Sequence, residues 1–242
     1  MKKTIVVIPC YNESNRIDIR KFDNFLLNNP SITLFFVDDG STDNTINTLS
    51  EFQNKHNNAI SYQITPNSGK AEAIRKSVLY ILEVYNYQYI GYFDADLSTS
   101  LEYIPRFQNK LEQSKTLKAV IGSRIKRLGS TITRNAIRHY SGRVVATFAS
   151  GILKLPVYDT QCGAKLFQVE FIKEIFHKPF YSKWLFDIEI FKRLNTIYGI
   201  DLVSKSIYEY PLEEWIDDGD SRIKLKDFIK VPLDLYKIFM KY

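Results

Sequence analysis

An α/β fold on a mostly parallel sheet is predicted by two features. Short β-branched runs alternate with helical patterns through the first half, and polar, charged residues follow the first four runs. The strands are expected at residues 4–10, 32–37, 60–64, 89–93 and 119–121. Thr42 or Asp43 is placed to cap a helix running towards His56. Ser68-Gly69 opens another, in which Ala73, Ile74, Ser77, Val78, Ile81 and Leu82 recur at helical spacing. In the second half an amphipathic stretch covers residues 131–155, a loop and strand cover 159–167, and a helix begins near Trp184. A strand is expected over 200–210. The expected organisation is one domain over residues 1–221, with a basic amphipathic segment at 222–242 that Pro232 breaks or kinks.

Composition narrows the class. With 242 residues, 45% hydrophobic and 25% charged, the chain can bury a sizeable core; 10 Gly and 8 Pro exclude low-complexity and fibrous folds. Cys10 and Cys162 form no CxxC pair, which argues against a disulfide framework or a cysteine zinc site and fits a reducing, cytosolic setting. The longest uncharged apolar stretch, 144–153, has ten residues, against roughly 20 for a helix that spans a bilayer. Met1-Lys2-Lys3 runs straight into the first strand, without the apolar length or cleavage site of a signal peptide.

Net charge is +6 and unevenly spread. Between Glu112 and Asp159 there is no acidic residue, while Lys115, Lys118, Arg124, Lys126, Arg127, Arg134, Arg138, Arg143 and Lys154 are basic. Such a block, interleaved with isoleucines and a leucine, reads as an anion-facing surface. Nucleic acid is the wrong anion. Carboxylates cluster at Asp38, Asp39, Asp94 and Asp96, and they would repel a backbone of phosphates.

In open α/β sheets ligands bind beyond the carboxyl ends of the strands. Those positions read Pro9-Cys10-Tyr11-Asn12-Glu13, Asp38-Asp39-Gly40-Ser41, Asn67-Ser68-Gly69-Lys70 and Asp94-Ala95-Asp96. Neither GxGxxG nor GxxxxGK[ST] occurs, so phosphates would be held by a metal and by arginines. Asp94 and Asp96 flank a small residue at a strand end and suit a hard divalent cation, Mg2+ or Mn2+, shared with phosphate oxygens. Lys70 stands at a helix start, where an ammonium and free N–H groups favour phosphate. Arg124 ends the fifth strand, and Arg134 and Arg138 are four apart on one helical face, placed to grip the donor diphosphate and an acceptor phosphate. Cys162 has no histidine partner in a recognisable motif, which argues against a cysteine nucleophile.

Taken together, residues 6–13, 37–43 and 94–96 resemble the family 2 glycosyltransferases of GT-A fold. Ile121-Gly122-Ser123-Arg124, Arg134-Asn135, residues 159–167, 184–189, Glu214-Trp215 and 219–224 resemble, more narrowly, the dolichyl-phosphate β-glucosyltransferase branch. There, glucose passes from UDP-glucose to a polyprenyl phosphate. The resemblance assigns Pro9, Tyr11, Glu13 and Asp39 to the nucleoside, with Lys70 and Asp94 also on the nucleotide sugar. The metal is expected at Asp94 and Asp96, and the acceptor phosphate at Arg124, Arg134, Arg138, Ser221 and Lys224. Asp187, Arg124 and Arg134 carry the chemistry, although on spacing either Asp187 or Glu189 could face the acceptor. Two departures stand out: eukaryotic members usually carry an N-terminal membrane anchor, absent from this sequence, and Leu97-Ser98 replaces the family's Gly-Ala. The expected activity is inverting hexosyl transfer by a peripheral enzyme on the cytoplasmic membrane face. A family 2 enzyme with a saccharide acceptor is the alternative.

Overall fold

The computed structural model describes residues 3–133, 150–216 and 225–242, with backbone alone at 225–231. Strands β1 (Thr4–Cys10), β2 (Ile32–Asp38), β3 (Ala59–Gln63), β4 (Tyr89–Phe93) and β5 (Ala119–Ser123) match the expected runs to within two residues at either end. Helices α1 (Ile19–Asn28), α2 (Thr45–Gln53), α3 (Lys70–Val84) and α4 (Tyr103–Glu112) connect them. β7 (Ala164–Gln168) and β8 (Ile207–Pro211) complete a seven-stranded sheet of order β3-β2-β1-β4-β7-β5-β8. The pairings among β1 to β4 are parallel, as is β5 with β8, whereas β7 runs antiparallel between β4 and β5. A small parallel ribbon joins β6 (Thr131–Thr133) to β9 (Glu214–Ile216).

Side chains on a strand alternate between faces, and the core divides accordingly. Ile5, Val7, Phe35 and Val37 point to one layer with Ile74, Val78 and Ile81 of α3; Val6, Ile8, Leu34 and Phe36 point to the other, with Phe22 and Phe25 of α1, Leu49 of α2 and Phe107 of α4. Burial on both faces explains why these strands read as near-continuous apolar runs rather than alternating ones.

The second half departs from expectation in three places. Residues 200–206, expected as strand, form the short helix α7 (Ile200–Ser206), which follows α6 (Phe186–Tyr198) directly; β8 begins only at Ile207. Within α7 only Val203 and Ser206 are buried, three apart, while Ile200 and Leu202 are exposed. One inward position per turn suits a surface helix, and the β-branched composition had suggested otherwise. The amphipathic stretch expected at 131–155 begins as strand β6, and residues 134–149 lie outside the described ones. The C-terminal helix α8 (Leu225–Lys241) runs through Pro232 rather than ending there. Its Leu235 and Ile238 are buried in the same layer as α6, Ser182 Oγ donates to Asp234 at 2.6 Å, and the Tyr242 hydroxyl donates to Glu189 at 3.2 Å. The end of this segment therefore packs on the core. α5 (Val169–Ile172) is a single turn after β7.

Candidate active site

The carboxyl ends of β1, β2 and β4 lie side by side in the sheet, and the loop leading into α3 joins them through Asp39. Cys10 and Asp38 are register partners, and the Asp39 N–H donates to Cys10 O at 2.9 Å. The Asp39 carboxylate accepts from Ser68 N and Oγ, both at 2.8 Å, and from Gly69 N at 2.7 Å. It thereby clips the β3–α3 loop to the end of β2. Gly40, at φ +67°, lies so close to this loop that a Cβ would sit 2.7 Å from Asn67 N. Asp38 is buried with Ser41 Oγ as a donor and Gln63 Nε2 at 3.1 Å.

The loop after β1 is locked to the loop after β2. Asn12 N–H donates to Ser41 Oγ and Thr42 N–H to Asn12 Oδ1, each at 2.9 Å, and Glu13 N–H donates to Thr45 Oγ1 at 2.8 Å. Pro9 and Tyr11 are half-buried; Glu13 is buried, 3.8 Å from Arg16 Nε. The four residues assigned to the nucleoside thus occupy adjacent strand ends. Asp43 receives Thr45 N and Oγ1 on one oxygen and Ser14 N and Oγ on the other. Burial alone would raise its carboxyl, but the hydrogen bonds from Thr45 and Ser14 hold it down at about 2. A depressed carboxyl contributes stability that is complete above its ordinary value of 3.8 and disappears as pH falls towards about 2. The gap in urea midpoint between the parent and Asp43→Asn is therefore expected to be widest above about pH 5 and to close on acidification.

At the end of β4 the two expected metal ligands differ. Asp94 is half-buried, with the Lys70 ammonium against Oδ1; Asp96 is exposed and accepts Ser98 N–H at 2.9 Å. Burial opposes the charge on Lys70, yet the carboxylates of Asp94, Asp187 and Asp96 outweigh it and raise the lysine. Although the Asp96 side chain reaches solvent, partial desolvation by the protein packed around it, and then the neighbouring Asp94 charge, raise its carboxyl despite the bond from Ser98. A carboxylate lifted by a like charge is short of a cation, and two carboxylates supplemented by phosphate oxygens and water suit Mg2+ or Mn2+. Among the described residues no group of three His, Cys, Asp or Glu could hold a metal ion, so a cation at this strand end would need ligands beyond Asp94 and Asp96. Gly163 abuts Asp94: a Cβ there would collide with its carboxylate.

Asp187, in the first turn of α6, is buried, and Tyr92 and Lys165 both donate to its Oδ1. Burial first, then the Asp187 charge, push the Tyr92 phenol well above its ordinary value, so it stays a donor. Glu189 points elsewhere. Wholly buried, it pairs with Arg193 at 2.7 Å and accepts Tyr181 N–H at 2.8 Å. Spacing left the two acids open; packing sets Asp187 on Tyr92 of β4 and Lys165 of β7, and Glu189 on Arg193.

Arg124 is engaged by the protein itself. Its Nε and Nη2 meet Asp159 at 2.6 and 2.8 Å, its N–H adds a third bond at 3.1 Å, and its guanidinium lies 5.2 Å from the centre of the Trp215 ring. The planar fork expected on phosphate is thus closed on a carboxylate, which raises the guanidinium further although burial opposes it. Cys162 is buried and burial pushes its thiol up to about 11, in keeping with the reading against a nucleophile. Arg134, Arg138, Ser221 and Lys224 lie outside the described residues. A cavity of about 370 Å³ between α1, residues 97–102 and β9 includes none of the expected site residues.

Residues 5–176 match the family described as Glycosyl transferase family 2. The chain belongs to this family. A dolichyl-phosphate beta-glucosyltransferase of Saccharomyces cerevisiae is 31% identical over 265 residues, covering 98% of this chain and 74% of that protein. One of Trichomonas vaginalis is 28% identical, covering 97% and 70%. An uncharacterized protein of Methanocaldococcus jannaschii is 28% identical over 98% of this chain and 100% of its own length. Among solved structures, glucosyl-3-phosphoglycerate synthase of Mycobacterium tuberculosis in complex with Mn2+, UDP-glucose and phosphoglyceric acid superposes with a TM-score of 0.70 at 15% identity, covering 99% of this chain and 80% of that one. At that identity the likeness establishes the GT-A fold. Within the family, the resemblance is to the dolichyl-phosphate β-glucosyltransferases.

The sequence motifs assigned no role to Tyr92, Asp159, Gly163 or Lys165. The last three stand inside the quoted 159–167 stretch, and that density of matched positions was the signal available.

Proposed function

We propose that this glycosyltransferase moves a hexose, glucose from UDP-glucose foremost, to a polyprenyl phosphate, with inversion at the anomeric carbon. The carrying observation is the placement of Asp187. Among the described residues only its Oδ1 is engaged, which leaves Oδ2 to orient an acceptor within electrostatic reach of Lys70. The yeast relative, similar over nearly the whole chain, is named for transfer to dolichyl phosphate.

In the proposed reaction an acceptor phosphate oxygen forms a bond to the anomeric carbon as the bond to the UDP oxygen breaks, and UDP leaves. A divalent cation held by Asp96, with Asp94 assisting, would supply charge neutralisation for the diphosphate. Lys70 holds Asp94 and adds a second positive charge beside it. Asp39 keeps the Ser68-Gly69 loop, and with it the start of α3, against the nucleoside side. A phosphate acceptor is already anionic near neutral pH, so Asp187 has to orient more than to deprotonate.

A lipid acceptor calls for membrane contact, and we place it peripherally on the cytoplasmic face. Among the described residues no helix is long and apolar enough to cross a membrane. α8 offers an alternative: with Leu235 and Ile238 inward, Leu233, Tyr236, Phe239 and Met240 remain at least half exposed beside Lys237. An apolar stripe flanked by lysine suits an anionic interface, at about 1 kcal/mol per basic residue near the surface.

The test is incubation with radiolabelled UDP-glucose, a divalent cation and polyprenyl phosphate in anionic liposomes. Label should enter the organic phase, and the protein should sediment with the vesicles in low salt and be released by high salt. Label that stays with a water-soluble saccharide would replace this acceptor; a protein that ignores anionic vesicles would remove the membrane contact.

A further inference from the structure

Resting on the reading that Asp187 faces the acceptor, we propose that Lys165 and Tyr92 are positioning residues for transfer: they fix Asp187 by one oxygen and turn the other towards the acceptor. Tyr92 of β4 and Lys165 of β7 are register partners, as are Lys165 and Ile121 of β5. Directly paired residues in an antiparallel ladder share a face, so both side chains rise from the middle of the sheet towards α6. Lys165 is fully buried. Its ammonium donates to Thr160 O at 3.0 Å, Cys162 O at 2.6 Å and Asp187 Oδ1 at 2.6 Å, and the Tyr92 hydroxyl donates to that same oxygen.

An ammonium has three donors, and here each has an acceptor. The arrangement does two things. It saturates one oxygen of Asp187, which holds the carboxylate's rotation. It also ties Asp187 to the 160–162 loop, whose neighbours are Asp159, closed on Arg124, and Gly163, packed on Asp94. The acceptor-side carboxylate and the end of the metal-binding strand are thereby held in one frame. A methionine would fill much of the same slot, but removing one partner of a buried pair leaves the Asp187 charge short of its counterion, so Lys165→Met should lower the melting temperature as well as turnover. What the ammonium adds is direction.

The test is a double-mutant cycle, read as kcat and donor KM on whichever acceptor the parent glycosylates, with melting temperature measured alongside. Lys165→Met is expected to lower kcat at least about tenfold with little change in donor KM, and to lower it by less than about threefold in the Asp187→Asn background, because the two act as a unit. Tyr92→Phe removes one donor and keeps the ring; it should show a smaller loss that likewise vanishes with Asp187→Asn, and it serves if Lys165→Met does not fold. Losses that multiply in full across the cycle would make the lysine and tyrosine structural only, and unchanged kcat in Tyr92→Phe with a foldable, active Lys165→Met would overturn the proposal outright. The function is judged separately, by whether the parent's label reaches polyprenyl phosphate.

Discussion

Replacing Asp96 by asparagine is expected to lower kcat by roughly a thousandfold, about 4 kcal/mol of transition-state stabilisation, with little change in melting temperature. The two halves have separate causes. Asp96 is exposed, and its hydrogen bond from Ser98 N–H can be accepted by an amide oxygen as well, so folding loses little. Its charge, however, is what a cation would require, and partial desolvation with the Asp94 charge beside it already makes that carboxylate reluctant to ionise alone. Asparagine relieves the repulsion and removes the ligand together. The measurement is kcat against Mn2+ concentration for parent and variant, with a thermal melt of each. Undiminished turnover in Asp96→Asn would move the metal away from β4. Asp94→Asn is the instructive comparison, because there Lys70 would lose its partner too; the pair is part-exposed, so stability should fall only slightly.

Much of this site could be read before any coordinates because its carboxylates sit where chain order puts them. β1, β2 and β4 are buried on both faces, so each reads as an apolar run with a sharp polar end, and Asp39, Asp94 and Asp96 mark those ends. The antiparallel insertion of β7 was not legible. Its neighbours β4 and β5 are set by pairing across distant sequence, and nothing local to residues 164–168 specifies them. Lys165 was hidden for a related reason: lysine is almost never fully buried, so composition assigns it to the surface, and only the convergence of Thr160 O, Cys162 O and Asp187 gives it a place inside. Arg124 illustrates the converse. Sequence leads one to expect that guanidinium on phosphate, but it does not reveal that Asp159, 35 residues later, closes on it. The apolar stripe of α8 was legible as a stripe; which part of it meets the core depended on α6 packing against Leu235 and Ile238.

Glu189→Gln should separate framework from chemistry. Glu189 is wholly buried and is the anionic partner of Arg193, whose Nε and Nη2 reach Oε1 at 3.2 and 2.7 Å. The rest of that guanidinium is already spent on Ile175 O, Lys178 O and Pro179 O and on the face of Phe180. Glutamine retains one acceptor oxygen but no charge, so Arg193 would be left buried without a counterion. Breaking a buried pair from one side costs about 3–5 kcal/mol. At about 2–4 °C per kcal/mol for a chain of this length, the melting temperature should drop on the order of 10 °C. Because Glu189 faces Arg193, Tyr181 and Tyr242 rather than the strand ends, kcat per folded molecule should stay within about twofold of the parent below that melt. Asp187→Asn should combine both effects: its amide oxygen can still accept from Lys165 and Tyr92, but the buried Lys165 ammonium loses its counterion and stability falls, while the proposed loss of charge on the acceptor side lowers kcat of the folded enzyme. A Glu189→Gln enzyme that melts like the parent but turns over slowly would exchange the roles of the two acids, and with them the identity of the acceptor-side carboxylate.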